Sequence, residues 1–166
     1  VYPFAKRFTW WPQVFLGLAF NWGALLAWTA HTGRLEAPAV VLYLAGIAWT
    51  LFYDTIYAHQ DIEDDALIGV KSTARLFAEK TPDWLRRFLA LTVGLMGIAV
   101  IFSALPNASA LAMVFILAGP WAMVWHMAWQ LRGLDITDPA KCMQLFRANR
   151  DTGMIPLLFF AIALFV

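Results

Sequence analysis

Apolar residues along this chain gather into five runs, at about 13–30, 39–58, 88–105, 110–131 and 154–166, with most of the charge collected between them. A helix needs roughly 20 largely apolar residues to cross ~30 Å of hydrocarbon, and most of these runs approach that length. The expected fold is therefore all-α, a polytopic bundle of about five transmembrane helices forming one membrane domain over 1–166. Pro12 suits the first turn of the first run, and Trp10 and Trp11 before it read as interface aromatics. Gly17, Asn21 and Gly23 inside that run read as positions of close helix packing. Pro120 predicts a kink in the fourth run. Trp121, Trp125 and Trp129 recur every four residues there, which predicts a stripe facing lipid or a packing partner. His126 beside it reads as a hydrogen-bonded packing residue.

Two long polar connections interrupt the pattern, 59–87 and 132–153, and such lengths usually carry function. In the first, 74–78 reads as a short helix with Ser72 and Thr73 as capping candidates. Thr81-Pro82-Asp83 marks the next helix start, with Trp84 at the interface. The second is read as loop throughout, with Cys142 an inert residue in it. His31 reads as an exposed loop residue, and 106–109 as a tight turn.

Composition sharpens the class. With 61% hydrophobic and 14% charged residues and a mean hydropathy of +0.65, the chain is far more apolar than soluble domains. A net charge of +1, with no basic cluster interleaved with aromatics, argues against nucleic acid as a partner. One cysteine excludes an intrachain disulfide and has no neighbour at metal-ligand spacing. The chain has no signal-peptide pattern, begins at Val1 and stops in mid-run, so it reads as a fragment of a longer protein. Placing the Lys6/Arg7 end and both long connections on one side puts all the basic residues but Arg34 there, in the cytoplasm by the positive-inside rule.

The chemistry gathers in 53–74, which holds five acidic residues. Read as one helix, Asp54, Asp61 and Asp65 fall at i, i+7 and i+11 on one face, with Tyr57 on it too. Carboxylates stacked there repel one another, and a hard cation such as Mg²⁺ relieves that while filling its other sites with water and substrate phosphates. Lys71 just beyond can hold a phosphate oxygen as a point charge. Glu63 and Asp64 fit a solvated loop as well as a site. Asp54 follows an apolar run, and an ionisable group within or at the edge of a membrane span is a functional candidate by default.

The segments YPFAKRFTWWPQ, LGLAFNWG and YDTIYAHQDIEDDALIGVKSTARLF, with FRANRDTG later, resemble the UbiA-type membrane prenyltransferases, in particular those acting on 4-hydroxybenzoate in ubiquinone biosynthesis. The resemblance spans essentially the whole chain. It implies the C-terminal five helices of a nine-helix fold in a bacterial inner membrane, or the mitochondrial inner membrane of a eukaryote. It implies transfer of a polyprenyl group from polyprenyl diphosphate to the ring of 4-hydroxybenzoate, ortho to the hydroxyl, assisted by Mg²⁺. By the same resemblance Asp61 and Asp65 match the paired aspartates of the family's second acidic motif and hold the metal. Lys6, Arg7 and Lys71 match its diphosphate-binding groups. Asp54 matches an aspartate near the aromatic acceptor, with Tyr57 beside it. The family's first aspartate-rich motif has no counterpart here and would lie in an N-terminal half, so the fragment alone is expected to be inactive. A sibling enzyme with a chlorophyll, haem or naphthoquinone precursor as acceptor stays open. A cation transporter is less favoured, because it would need charge at several depths, and a structural subunit would not need the acidic stripe.

Overall fold

The computed structural model describes residues 2–104 and 108–166. Leu105 of the expected third span, and Pro106 and Asn107 of the expected turn, lie outside the described residues. The elements are α1 (Tyr2–Phe8), α2 (Pro12–Phe20), α3 (Trp22–Thr32), α4 (Ala37–Ala58), α5 (Ile62–Leu67), α6 (Thr73–Phe77), α7 (Thr81–Ala104), α8 (Ala110–Arg132) and α9 (Pro139–Ala163). No strand occurs among the described residues, as expected of an all-α bundle. Among the described residues, four segments are long and apolar enough to cross a membrane, Pro12–Thr32, Ala37–Ala58, Thr73–Ala104 and Ala110–Arg132.

The central element is α4, which packs against α7, α2, α3 and α9, while α8 bridges α7 and α9. Phe52, Ile56, Leu85, Phe88, Met123, Met127 and Leu145 form the buried core between these helices. The first span is not one straight run. It breaks at Asn21, whose Nδ2 donates to the Gly17 carbonyl at 2.8 Å and to Thr50 Oγ1 at 3.0 Å. A side chain on Gly46 would collide with Asn21, so glycine there admits the amide to the surface of α4. Gly17 sits against Ile47, as close packing requires.

Three other expectations change. The third helix starts at Thr81, as Thr81-Pro82-Asp83 suggested, and so precedes the apolar run at 88. Residues 139–153 are not loop but the first part of α9, which the Asp138 side chain caps by accepting from the Lys141 N–H at 3.0 Å, with Pro139 in the first turn. Cys142 is therefore a buried helix residue, and burial pushes its thiol up to about 11, which does leave it inert. Trp11 and Trp84 are not simple interface residues either. With Phe77 and Phe88 they form an aromatic cluster, the Phe77 and Trp84 rings stacked at 4.6 Å. Trp121, Trp125 and Trp129 do face outward, and His126 is hydrogen-bonded to Thr152 Oγ1 at 2.8 Å. The helix assignment of α8 runs through Pro120 unbroken.

The bundle sorts its loops as the charge count suggested. The α1 end meets the 59–80 connection where the Lys71 N–H donates to the Lys6 carbonyl, and that connection shares a cavity with the α8–α9 turn, lined by His59, Gln60, Glu63, Asp64, Ile136 and Thr137 among others. At the other end Ser109 donates to the Val166 carbonyl at 3.1 Å.

Candidate functional site

The acidic stretch does not continue α4. That helix ends at Ala58, the chain turns through His59–Asp61, and α5 begins at Ile62. Asp54, Asp61 and Asp65 therefore do not share the face of a single helix. The cause is local: a run of polar side chains beyond the hydrocarbon gains nothing from staying helical, and burial of His59 against Thr81, at 3.0 Å, anchors the turn instead. Burial holds the His59 imidazole down at about 4, so the anchor is a neutral ring. What survives is the Asp61/Asp65 spacing. Asp61 is the N-cap residue of α5, and the Asp65 N–H donates to its carbonyl at 2.7 Å, so the two residues stand one turn apart.

Asp65 is buried and faces α1. Lys6 Nζ lies 3.4 and 3.5 Å from its two carboxylate oxygens, a pair joined across 59 residues of sequence. Arg7 is the exposed next residue of α1. After α5 the chain reverses at Gly69, whose φ of +73° a side chain would strain. This returns Lys71 to α1, where its N–H donates to the Lys6 carbonyl at 2.7 Å and its Nζ to the Phe8 carbonyl at 3.3 Å. Lys6, Arg7, Lys71 and Asp65 thus meet at one mouth of the bundle. Asp61 stands half-exposed at the head of α5.

Two residues given no role in the site by the sequence hold this cluster. Arg75 Nη1 donates to the backbone carbonyls of Asp65, at 3.2 Å, and Val70, so it braces both ends of the turn. Trp10 lies under both cations, its ring centroid 5.8 Å from Lys71 Nζ and 5.6 Å from the Arg75 guanidinium carbon. The only local signal was the Ser72 cap, which accepts from the Arg75 N–H and sets where α6 starts.

Asp54 lies buried in α4, one turn inside its end. Tyr57 packs on Phe146 of α9 with ring centroids 4.8 Å apart, and Tyr53 and Trp49 continue that aromatic row along α4. The residues fit a cation held jointly with a phosphate better than one held by protein alone. Among the described residues no group of three or more His, Cys, Asp or Glu side chains converges as a metal site. Two carboxylates a helical turn apart, with ammonium groups beside them, are the donor set Mg²⁺ takes when substrate phosphates complete its shell.

The UbiA prenyltransferase family profile matches residues 1–163. The mitochondrial 4-hydroxybenzoate polyprenyltransferase of Bos taurus is 48% identical over 161 residues, covering 95% of this chain and 41% of that protein. Its counterpart in Dictyostelium discoideum is 44% identical over 164 residues, covering 98% and 34%, and that of Arabidopsis thaliana 47% over 156 residues, covering 93% and 36%. The chain thus spans between 34% and 41% of the length of these relatives. No solved structure matches it.

Proposed function

The chain belongs to the UbiA prenyltransferase family, and from that premise we propose that it supplies the diphosphate end of an enzyme joining a polyprenyl group to 4-hydroxybenzoate in ubiquinone biosynthesis. The observation that carries the reading is the mouth itself, where Lys6 pairs with a buried Asp65, Lys71 returns to the backbone of α1 beside Lys6, and Arg7 stands exposed next to it. Cations and a metal-capable carboxylate at one site are what a diphosphate leaving group needs. The membrane is the inner one of a mitochondrion or a bacterium, the mouth faces the matrix or cytoplasm, and α9, level with the middle of α4 at Asn149, serves as the fifth membrane helix.

In the reaction the allylic C–O bond of polyprenyl diphosphate breaks and the electron pair leaves with the diphosphate. The ring carbon ortho to the phenol hydroxyl forms the new C–C bond, and the ring then loses its proton. Lys6, Arg7 and Lys71 hold the diphosphate oxygens. Asp61 and Asp65 would hold Mg²⁺, which when bound supplies charge neutralisation for the leaving group. Asp54 takes the acceptor side, accepts the phenol proton as the ring attacks and returns it to the oxygen as the ring carbon gives up its own, so one proton is released overall. Tyr57 and Phe146 exclude water between the two. A family member with another aromatic acceptor is the second reading, favoured only by the mouth being indifferent to the acceptor.

Titrating Mg²⁺ against donor affinity in the full-length protein tests this. Asp61→Asn is expected to raise the Mg²⁺ requirement and weaken donor binding, whereas Asp54→Asn slows the single-turnover rate with donor affinity intact. Equal Mg²⁺ shifts in both variants would move Asp54 into the metal site and remove it from the acceptor side.

A further inference from the structure

Deeper than the mouth, Asn21, Trp49, Tyr53, Phe146, Asn149 and Arg150 line an open cavity of about 350 Å³ between the α2–α3 break, α4 and α9. That volume lies at the small end of the range for small-molecule sites. Its depth is set by two helices. Arg150 is twelfth of the 25 residues of α9, Trp49 thirteenth of the 22 of α4, and Trp49 Nε1 donates to Asn149 Oδ1 at 3.0 Å. The cavity floor therefore lies near the middle of both helices, about 14 Å inside the end of α4 at ~1.5 Å per residue.

A cation at that depth is costly in lipid, and ionisable residues within membrane segments line polar chambers or meet a partner charge. The Arg150 side chain is 85% exposed and its Nε sits 3.2 Å from Asp151 Oδ1. Its Nη nitrogens have no hydrogen-bond partner among the described residues. Arg147, exposed three residues earlier on the same face, leaves that face net positive after Asp151 is counted. The open fork of the guanidinium matches a carboxylate. The walls are aromatic, with Tyr53 and Phe146 ring centroids 5.9 Å apart and Trp49 5.7 Å from Tyr53.

We propose that this cavity is the acceptor pocket and that Arg150 reads the carboxylate of an aromatic acid. This rests on the function proposed above and adds how the acceptor is recognised and oriented. The carboxylate of 4-hydroxybenzoate is para to its hydroxyl. Held deep by Arg150, the ring points its hydroxyl, and the ortho carbon that reacts, toward Tyr57, Asp54 and the diphosphate mouth. The reacting carbon thereby meets the donor end at which the leaving group departs. Asp151 orients the guanidinium, and Asn149 is fixed between Trp49 and Gln130, so the floor of the pocket is preorganised.

The test compares 4-hydroxybenzoate with its neutral amide, 4-hydroxybenzamide, in full-length protein in lipid nanodiscs. Wild type should prefer the acid in binding and in kcat/KM. Arg150→Gln should reduce that preference by ~10²-fold or more while donor diphosphate affinity stays unchanged, and Arg150→Lys should restore part of it. A preference that survives in Arg150→Gln overturns the assignment and makes Arg150 a partner for another part of the protein. If that variant does not accumulate, wild-type protein gives the answer. Bound 4-hydroxybenzoate, but not the amide, should shield Arg150 from phenylglyoxal, as mapped by peptide mass spectrometry, and equal modification overturns the proposal. Wild-type protein that prenylates and binds neither compound overturns the function reading itself, and this inference with it.

Discussion

Polar groups are held in opposite ways at the mouth of the bundle and at its middle. At the mouth they are charged, carried on short helices joined by turns, and loosely paired, with Lys6 and Asp65 3.4 Å apart at the closest. At the middle the buried ones are neutral and tight. Trp49 donates to Asn149, Asn149 to Gln130 at 2.9 Å and Gln130 to Thr152 Oγ1 at 2.8 Å, with Asn149, Gln130 and Thr152 all buried. This chain of amides ties α4, α8 and α9 together where no water competes for the bonds. The difference teaches where each kind of group is useful. A charge that must receive a ligand has to be held without being used up, whereas a group whose task is to lock helices must leave no partner unsatisfied.

Removing a charge at the mouth should separate the two most widely. Asp65→Ala is expected to lower prenyl transfer by the full-length protein by ~10²-fold or more, the scale of losing a main electrostatic stabiliser. The midpoint of unfolding in detergent should move little. A large stability loss with proportionate activity would show that Lys6–Asp65 belongs to the architecture instead.

The middle should respond in reverse. Asn149→Leu leaves the Trp49 N–H and the Gln130 carbonyl without partners. At about 1–3 kcal/mol for each stranded group, the expected loss is about 2–6 kcal/mol of stability. Unfolding in mixed micelles measures it, and an unchanged free energy would remove the amide chain from the account of helix packing.

The smallest effect expected sits between the two, at the His59 anchor. Its folded-state value is lowered from 6.5 to about 4, so the unfolded chain binds the proton more readily. Stability is then complete above about pH 6.5 and falls as the pH drops from there toward 4, by on the order of 1–2 kcal/mol between pH 7 and pH 5. His59→Gln should flatten that slope. A slope that persists in the variant assigns the acid sensitivity to other groups.

The spans were legible because hydrocarbon imposes a simple demand. An apolar run near 20 residues reads the same in sequence as in structure, as 39–58 against Ala37–Ala58 and 110–131 against Ala110–Arg132 illustrate. A cap was legible at Ser72, and a helix start at Thr81. The cap at Asp138-Pro139 was equally plain by its chemistry, but a polar run after it concealed the helix, so the start of α9 was read fifteen residues too late. In the acidic stretch, Asp61 and Asp65 stand one turn apart but the continuous stripe with Asp54 does not form, because helical spacing does not tell whether a polar segment stays helical once it leaves the membrane.

The sequence by itself determined which segments are apolar, the side on which charge collects, and the residue types gathered at the mouth, since these follow from transfer energies and chemistry carried by single residues. Only the tertiary structure decided that Lys6 meets Asp65 across 59 residues, that Arg75 braces the turn between Asp65 and Val70, and that Arg150 stands at mid-depth beside Trp49 and Tyr53. Those placements depend on how α1, α4, α6 and α9 pack against one another. Packing selects among distant partners by shape and by bonds satisfied together, and neither is written in the spacing of residues along one helix.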